Sequence, residues 1–160
     1  MMERFFMTQN TPTFFKLDLP LYTGGKTKVL KSGKETKPTK KYWLTLNNYR
    51  NWHFQVANGT KINFKKDIED QIDPLPDLSL LWGRIHLRYT LFPPNRAKRD
   101  LTNSVSVIDK YFADALVELG KLKEDTCEYI PEVSCIFGGV DKHNPRMEVV
   151  IRPFLGQAPI

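Results

Sequence analysis

Asp100, Asn103, Lys110, Asp114, Glu124 and Asp125 fall within one short stretch of a 160-residue chain. Carboxylates, a carboxamide and an ammonium in that density suit phosphodiester hydrolysis. That reaction needs the phosphate charge neutralised, a water deprotonated and a leaving oxygen stabilised. Mg²⁺ supplies these when carboxylates hold it and leave positions open for water and phosphate. As a hard cation it prefers oxygen ligands, and Mn²⁺ is a plausible substitute. A nearby lysine stabilises charge that develops on the phosphate. Asp100 and Asp125 are therefore the first candidate ligands, and Lys110 is the candidate charge stabiliser.

These residues depend on a helix for their placement. The pattern predicts one over about Thr102–Leu119, ended by Gly120 in a left-handed cap. At about 100° per residue, Val105, Ile108, Phe112, Ala115, Leu116 and Leu119 form one apolar stripe. Asn103, Lys110 and Asp114 share the opposite face within roughly 40°. Asp109 lies about 120° from that face, beside the stripe, and is set aside as a ligand. Structural readings stand beside the catalytic one. Asp100 suits a helix N-cap. Lys110 and Asp114, spaced i, i+4, suit a surface ion pair. Glu124-Asp125 suits a solvated turn.

Other elements surround this helix. Phe14–Leu21 reads as a strand ended by Thr23-Gly24-Gly25. Lys26–Lys41 is a basic loop or loose hairpin with Glu35 as its one acid. Asn47–Ile72 reads as a helix, breaking near Gly59, with Tyr49, Trp52, Val56, Phe64, Ile68 and Ile72 as a core-facing row. Trp82–Phe92 alternates, with Ile85, Leu87, Tyr89 and Leu91 on the buried side. Pro93-Pro94 stops that strand, and the basic run Asn95–Arg99 delivers the chain to Asp100. Glu128–Gly138 and Met147–Phe154 read as strands around a turn at Asp141–Arg146. The expected fold is α+β: a single domain over residues 1–160, with two main helices on a mixed β-sheet. A basic loop spans 24–41 and a loose tail 155–160.

Net charge is +6 and the isoelectric point about 9.3, which favours polyanionic partners. No apolar run is long enough to cross a bilayer, and the first residues lack a signal-peptide core, so a cytoplasmic protein is expected. Cys127 and Cys135 fit neither a zinc knuckle nor a redox pair and are expected reduced.

The segment Arg99–Ile130, RDLTNSVSVIDKYFADALVELGKLKEDTCEYI, resembles the signature of RusA-type Holliday-junction resolvases. The pattern falls on Asp100, Asn103, Lys110, Asp114-Ala115-Leu116, Gly120 and Glu124-Asp125. Leu46–Asn58 and Phe137–Val149 are similar to phage-borne members. The resemblance implies a Mg²⁺-dependent homodimer that resolves four-way DNA junctions by paired nicks in recombination and repair. It also implies metal binding by Asp100 and Asp125, catalysis by Lys110, and DNA contact by the basic loop. Arg96, Lys98, Arg99 and Asn103, with Lys26 and Lys28, are the expected DNA-binding residues. Two departures stand out. Thr102 occupies a position where the pattern has an aspartate, and the helix gains about one turn between the Asn and the Lys. The third ligand is then Asp114 or Glu124. A branched-DNA-binding module without cleavage, and a nuclease with wider flap or branch preference, are the alternatives.

Overall fold

The computed structural model of the chain describes residues 12–24, 29–36 and 40–156. Lys26 and Lys28 of the expected DNA-binding set, and tail residues 157–160, lie outside them. The core strand is β4 (Ile85–Phe92), whose residues alternate between buried and half-buried as the sequence predicts. β6 (Arg146–Pro153) pairs with it antiparallel on one side, and β5 (Glu132–Phe137) pairs with it parallel on the other. β1 (Phe15–Leu19) extends the far side of β6, so the mixed sheet runs β1-β6-β4-β5. A separate ribbon pairs β2 (Tyr22–Gly24) with β3 (Lys41–Trp43). Among the described residues no helix is long and apolar enough to cross a membrane.

Two helices cover one face of the sheet. α4 (Leu101–Glu118) lays Val105, Ile108, Phe112, Ala115 and Leu116 onto it. α2 (Phe54–Ile72) adds Phe64, Ile68 and Ile72. Leu17, Leu87, Tyr89, Met147, Val149 and Ile151 meet them from the strands. Burial of these side chains removes apolar surface from water and drives the layers together. Gly120, at φ +74°, closes α4, and the Lys121 amide bonds back to the Leu116 carbonyl at 2.8 Å. A short α3 (Leu78–Leu81), capped by Asp77, precedes β4 and was not expected.

The predicted helix over 47–72 breaks, but not near Gly59, which is buried inside α2. It breaks at Trp52 and His53, whose backbones are extended, leaving a separate α1 (Leu46–Asn51). Thr45 caps α1, and the His53 Nδ1 accepts from the Gln55 amide at 3.4 Å to start α2. One buried polar contact joins the two long helices. The Thr60 and Tyr111 hydroxyls lie 2.9 Å apart, and each also donates to, or lies within reach of, the Ala57 carbonyl. Thr60→Val removes that contact while Tyr111 keeps its carbonyl partner. It should lower stability by about 1 kcal/mol and the melting temperature by about 2–4 °C, which a thermal melt reads directly.

Candidate functional site

β4 and β5 run parallel, so both end at the same edge of the sheet. In open α/β arrangements that edge is where loops gather functional groups. The Gly138 amide donates to the Leu91 carbonyl at 2.8 Å, and the Asp141 amide donates to Pro93 at 2.9 Å. A side chain on Gly138 would strike the Phe92 ring and the Thr90 methyl at 2.6 Å, so glycine allows this close approach. The two loops enclose a hollow of about 450 Å³, floored by Leu91, Phe137 and Val140 and rimmed by Arg96 and Arg99.

The basic loop is shaped by Asn95. Its carboxamide oxygen accepts from the Ala97 amide at 3.1 Å and from Arg99 Nη2 at 2.6 Å. Arg96 and Lys98 stay exposed and make no ion pair among the described residues. The nearest acid on the neighbouring loop is already matched: Arg146 Nη1 holds Asp141 at 2.9 Å and lies 4.2 Å over the Phe92 ring. The Asn144 amide and Arg146 together hold the Asp141 carboxyl below the usual range.

Asp100 follows this loop as the N-cap of α4. Its Oδ1 accepts from the Thr102 hydroxyl at 2.8 Å, the Thr102 amide at 3.0 Å and the Asn103 amide at 3.4 Å. The Thr102 hydroxyl, then the Asn103 amide, lower its pKa. The cap reading of Asp100 therefore holds, and these hydrogen bonds favour the charged carboxylate. Asp100 is exposed, and the bonds it accepts among the described residues all fall on Oδ1. Thr102 supplies a donor to the first acid rather than a second acid. Asn103 accepts from the Asn47 amide at 3.1 Å, tying the start of α4 to α1.

Lys110 lies exposed on the outer face of α4, free of ion pairs among the described residues. The Lys110–Asp114 ion pair that the i, i+4 spacing allows does not form. Asp114 instead bonds Lys61 on α2 at 2.9 Å, with Glu118 3.4 Å from the same ammonium. These acids raise the Lys61 pKa, the Asp114 hydrogen bond most of all.

The expected trio, Asp100 and Asp125 with Asp114 or Glu124, is not gathered among the described residues. Mg²⁺ holds its oxygens at about 2.0–2.1 Å, whereas Asp114 follows Asp100 by roughly 21 Å of helix rise. Glu124 and Asp125 are exposed on the loop beyond α4. Among the described residues no three His, Cys, Asp or Glu side chains gather closely enough to hold a metal ion. The acid that feels Asp125 is Asp109. Burial raises its pKa most, and the charge of Asp125 raises it further. Tyr89, a buried β4 residue, donates to Asp109 Oδ1 at 2.7 Å and opposes that rise. Mg²⁺ commonly takes one or two protein carboxylates and completes its shell with water and substrate phosphate.

The reading from sequence passed over Asp109 and Tyr89. A strand tyrosine on the buried side needs a partner for its hydroxyl, and that requirement was the available signal. Tyr49 and Trp52, read from the sequence as core-facing, are half-buried and pack against the edge of the core. No family model and no curated protein matches the chain.

Proposed function

We propose that this chain is a structure-selective DNA endonuclease acting on four-way junctions, with Asp100 as its central acid. One observation carries the reading. Asp100 is an exposed carboxylate with a lowered pKa, held at a helix N-terminus directly after a basic loop whose Arg96 and Lys98 have no acidic partner among the described residues. Cations there attract the DNA backbone, and a pre-oriented carboxylate among them suits a metal ion shared with a phosphate. Mg²⁺ bound by Asp100, or by Asp109 and Asp125, would supply charge neutralisation at the scissile phosphate. Arg96, Lys98 and Arg99 bind the backbone, and Lys110 stabilises charge that develops on the phosphate.

Paired nicks need two active sites, hence a homodimer. The edge of β5 supports one: Val133, Ile136 and Phe137 are exposed on a strand that has no partner on its outer side among the described residues. The test compares cleavage of a synthetic four-way junction, a flap and plain duplex by purified protein, with mass measured by light scattering. Preference for the junction by a dimer is expected. Cutting of plain duplex at the junction rate, or a monomer that cuts, contradicts the reading.

A second reading, a branched-DNA-binding module without cleavage, is favoured by one feature. Thr102 stands beside Asp100 as a hydrogen-bond donor where a second carboxylate would strengthen metal binding. Calorimetric titration with Mn²⁺ separates the two: the nuclease takes up metal in the presence of junction, and the module gives no metal-linked heat.

A further inference from the structure

The outer surface of α1 and the start of α2 form a trough that the proposed cutting chemistry uses only at its far end, Lys110. One part, about 320 Å³, lies between Lys40, Lys41 and Trp43 on one side and Trp52 and His53 on the other. The next, about 530 Å³, runs from Trp52 past Arg50 and Phe54 to Lys110. Trp52 lines both parts.

Its chemistry is one-sided. Lys40, Lys41, Arg50 and Lys110 make no ion pair among the described residues. The one acid of the lining, Asp114, is neutralised by Lys61. Among these cations stands an aromatic edge. Phe54 is 72% exposed, and its ring centroid lies 4.4 Å from that of His53. A lone exposed phenylalanine is ordinary. One that packs at a 40° tilt against a histidine, at the helix break and beside cations without an ion pair among the described residues, is placed to receive a flat ring attached to a polyanion. A duplex keeps its bases stacked on one another and offers no such face, whereas an unpaired strand offers a π-face at every base.

We infer that this trough binds single-stranded DNA, with unpaired bases stacking on Phe54 and His53 and phosphates meeting Lys40, Lys41 and Arg50. The inference rests on the DNA reading above and names a part of the substrate: unpaired nucleotides at the branch.

The test uses the full chain and fluorescence anisotropy with three probes: a thymidine oligonucleotide of about 15 nucleotides, an abasic strand of the same length, and a matched duplex. Wild type should bind the thymidine strand more tightly than the abasic one. Phe54→Ala should weaken thymidine-strand binding by between about fivefold and 150-fold and leave the abasic strand and duplex unchanged. Arg50→Gln should lower the salt slope for the thymidine strand by about 0.7. Equal affinity of wild type for thymidine and abasic strands overturns the inference, as does a Phe54→Ala protein that binds thymidine as wild type does. If such a protein still cuts junctions, the platform alone falls. If wild type binds no DNA of any form, the platform and the nuclease reading fall together.

Discussion

Asp109→Asn should make the chain more stable at neutral pH and less active. Burial lifts the Asp109 carboxyl above the ordinary aspartate value of 3.8, with Asp125 adding to the rise. The folded state therefore binds that proton more tightly than the unfolded chain does. The resulting stabilisation is fully present below pH 3.8 and is lost as pH rises through the raised folded value. Above that folded value ionised Asp109 is a net cost to the fold. Asparagine keeps an oxygen to accept from the Tyr89 hydroxyl, removes the buried charge and abolishes repulsion with Asp125. A gain of about 1 kcal/mol, or about 2–4 °C in melting temperature, is expected at pH 7 in EDTA, shrinking to nothing near pH 3. Nicking should fall by roughly 10–100-fold, because one of two neighbouring carboxylates is gone. A variant that melts lower than wild type at pH 7 would show that Asp109 is held by contacts that need its charge.

Asp100→Asn should leave the fold and junction binding in place while reducing nicking by about 100-fold or more. Asparagine caps a helix as well as aspartate does, so the bonds from Thr102 and Asn103 can persist. Removing one negative charge from a basic loop does not weaken phosphate attraction. The change therefore separates binding from cutting. A gel-shift affinity within about twofold of wild type, alongside lost cleavage, is the expected pair of results. A variant that nicks at the wild-type rate excludes Asp100 from the chemistry.

Elements whose neighbours lie in the same strand or helix were legible from sequence. β4 shows its alternation residue by residue, and the α4 stripe and the Gly120 cap follow from local spacing. What the sequence hid depends on partners from elsewhere in the chain. The Asp114–Lys61 pair joins two helices, and i, i+4 spacing within α4 points only to Lys110. A helical wheel placed Asp109 beside the apolar stripe, where it does lie. The wheel has no means of showing the Tyr89 hydroxyl beneath it or Asp125 returning from the loop. The break at Trp52 and His53 was masked by aromatic residues whose helical spacing continues through it. Of the candidate site, the basic loop leading into Asp100 was legible because it is contiguous in sequence. The distribution of the remaining acids was not, because it depends on where the loop beyond α4 travels.

Strand-resolved mapping of cuts in an end-labelled four-way junction, with Mg²⁺ and with EDTA, tests the central claim most directly. The account predicts nicks at symmetric positions on two opposing strands, dependent on Mg²⁺ and lost in Asp100→Asn. An intact junction, bound by the protein but uncut in both Mg²⁺ and Mn²⁺, would contradict it.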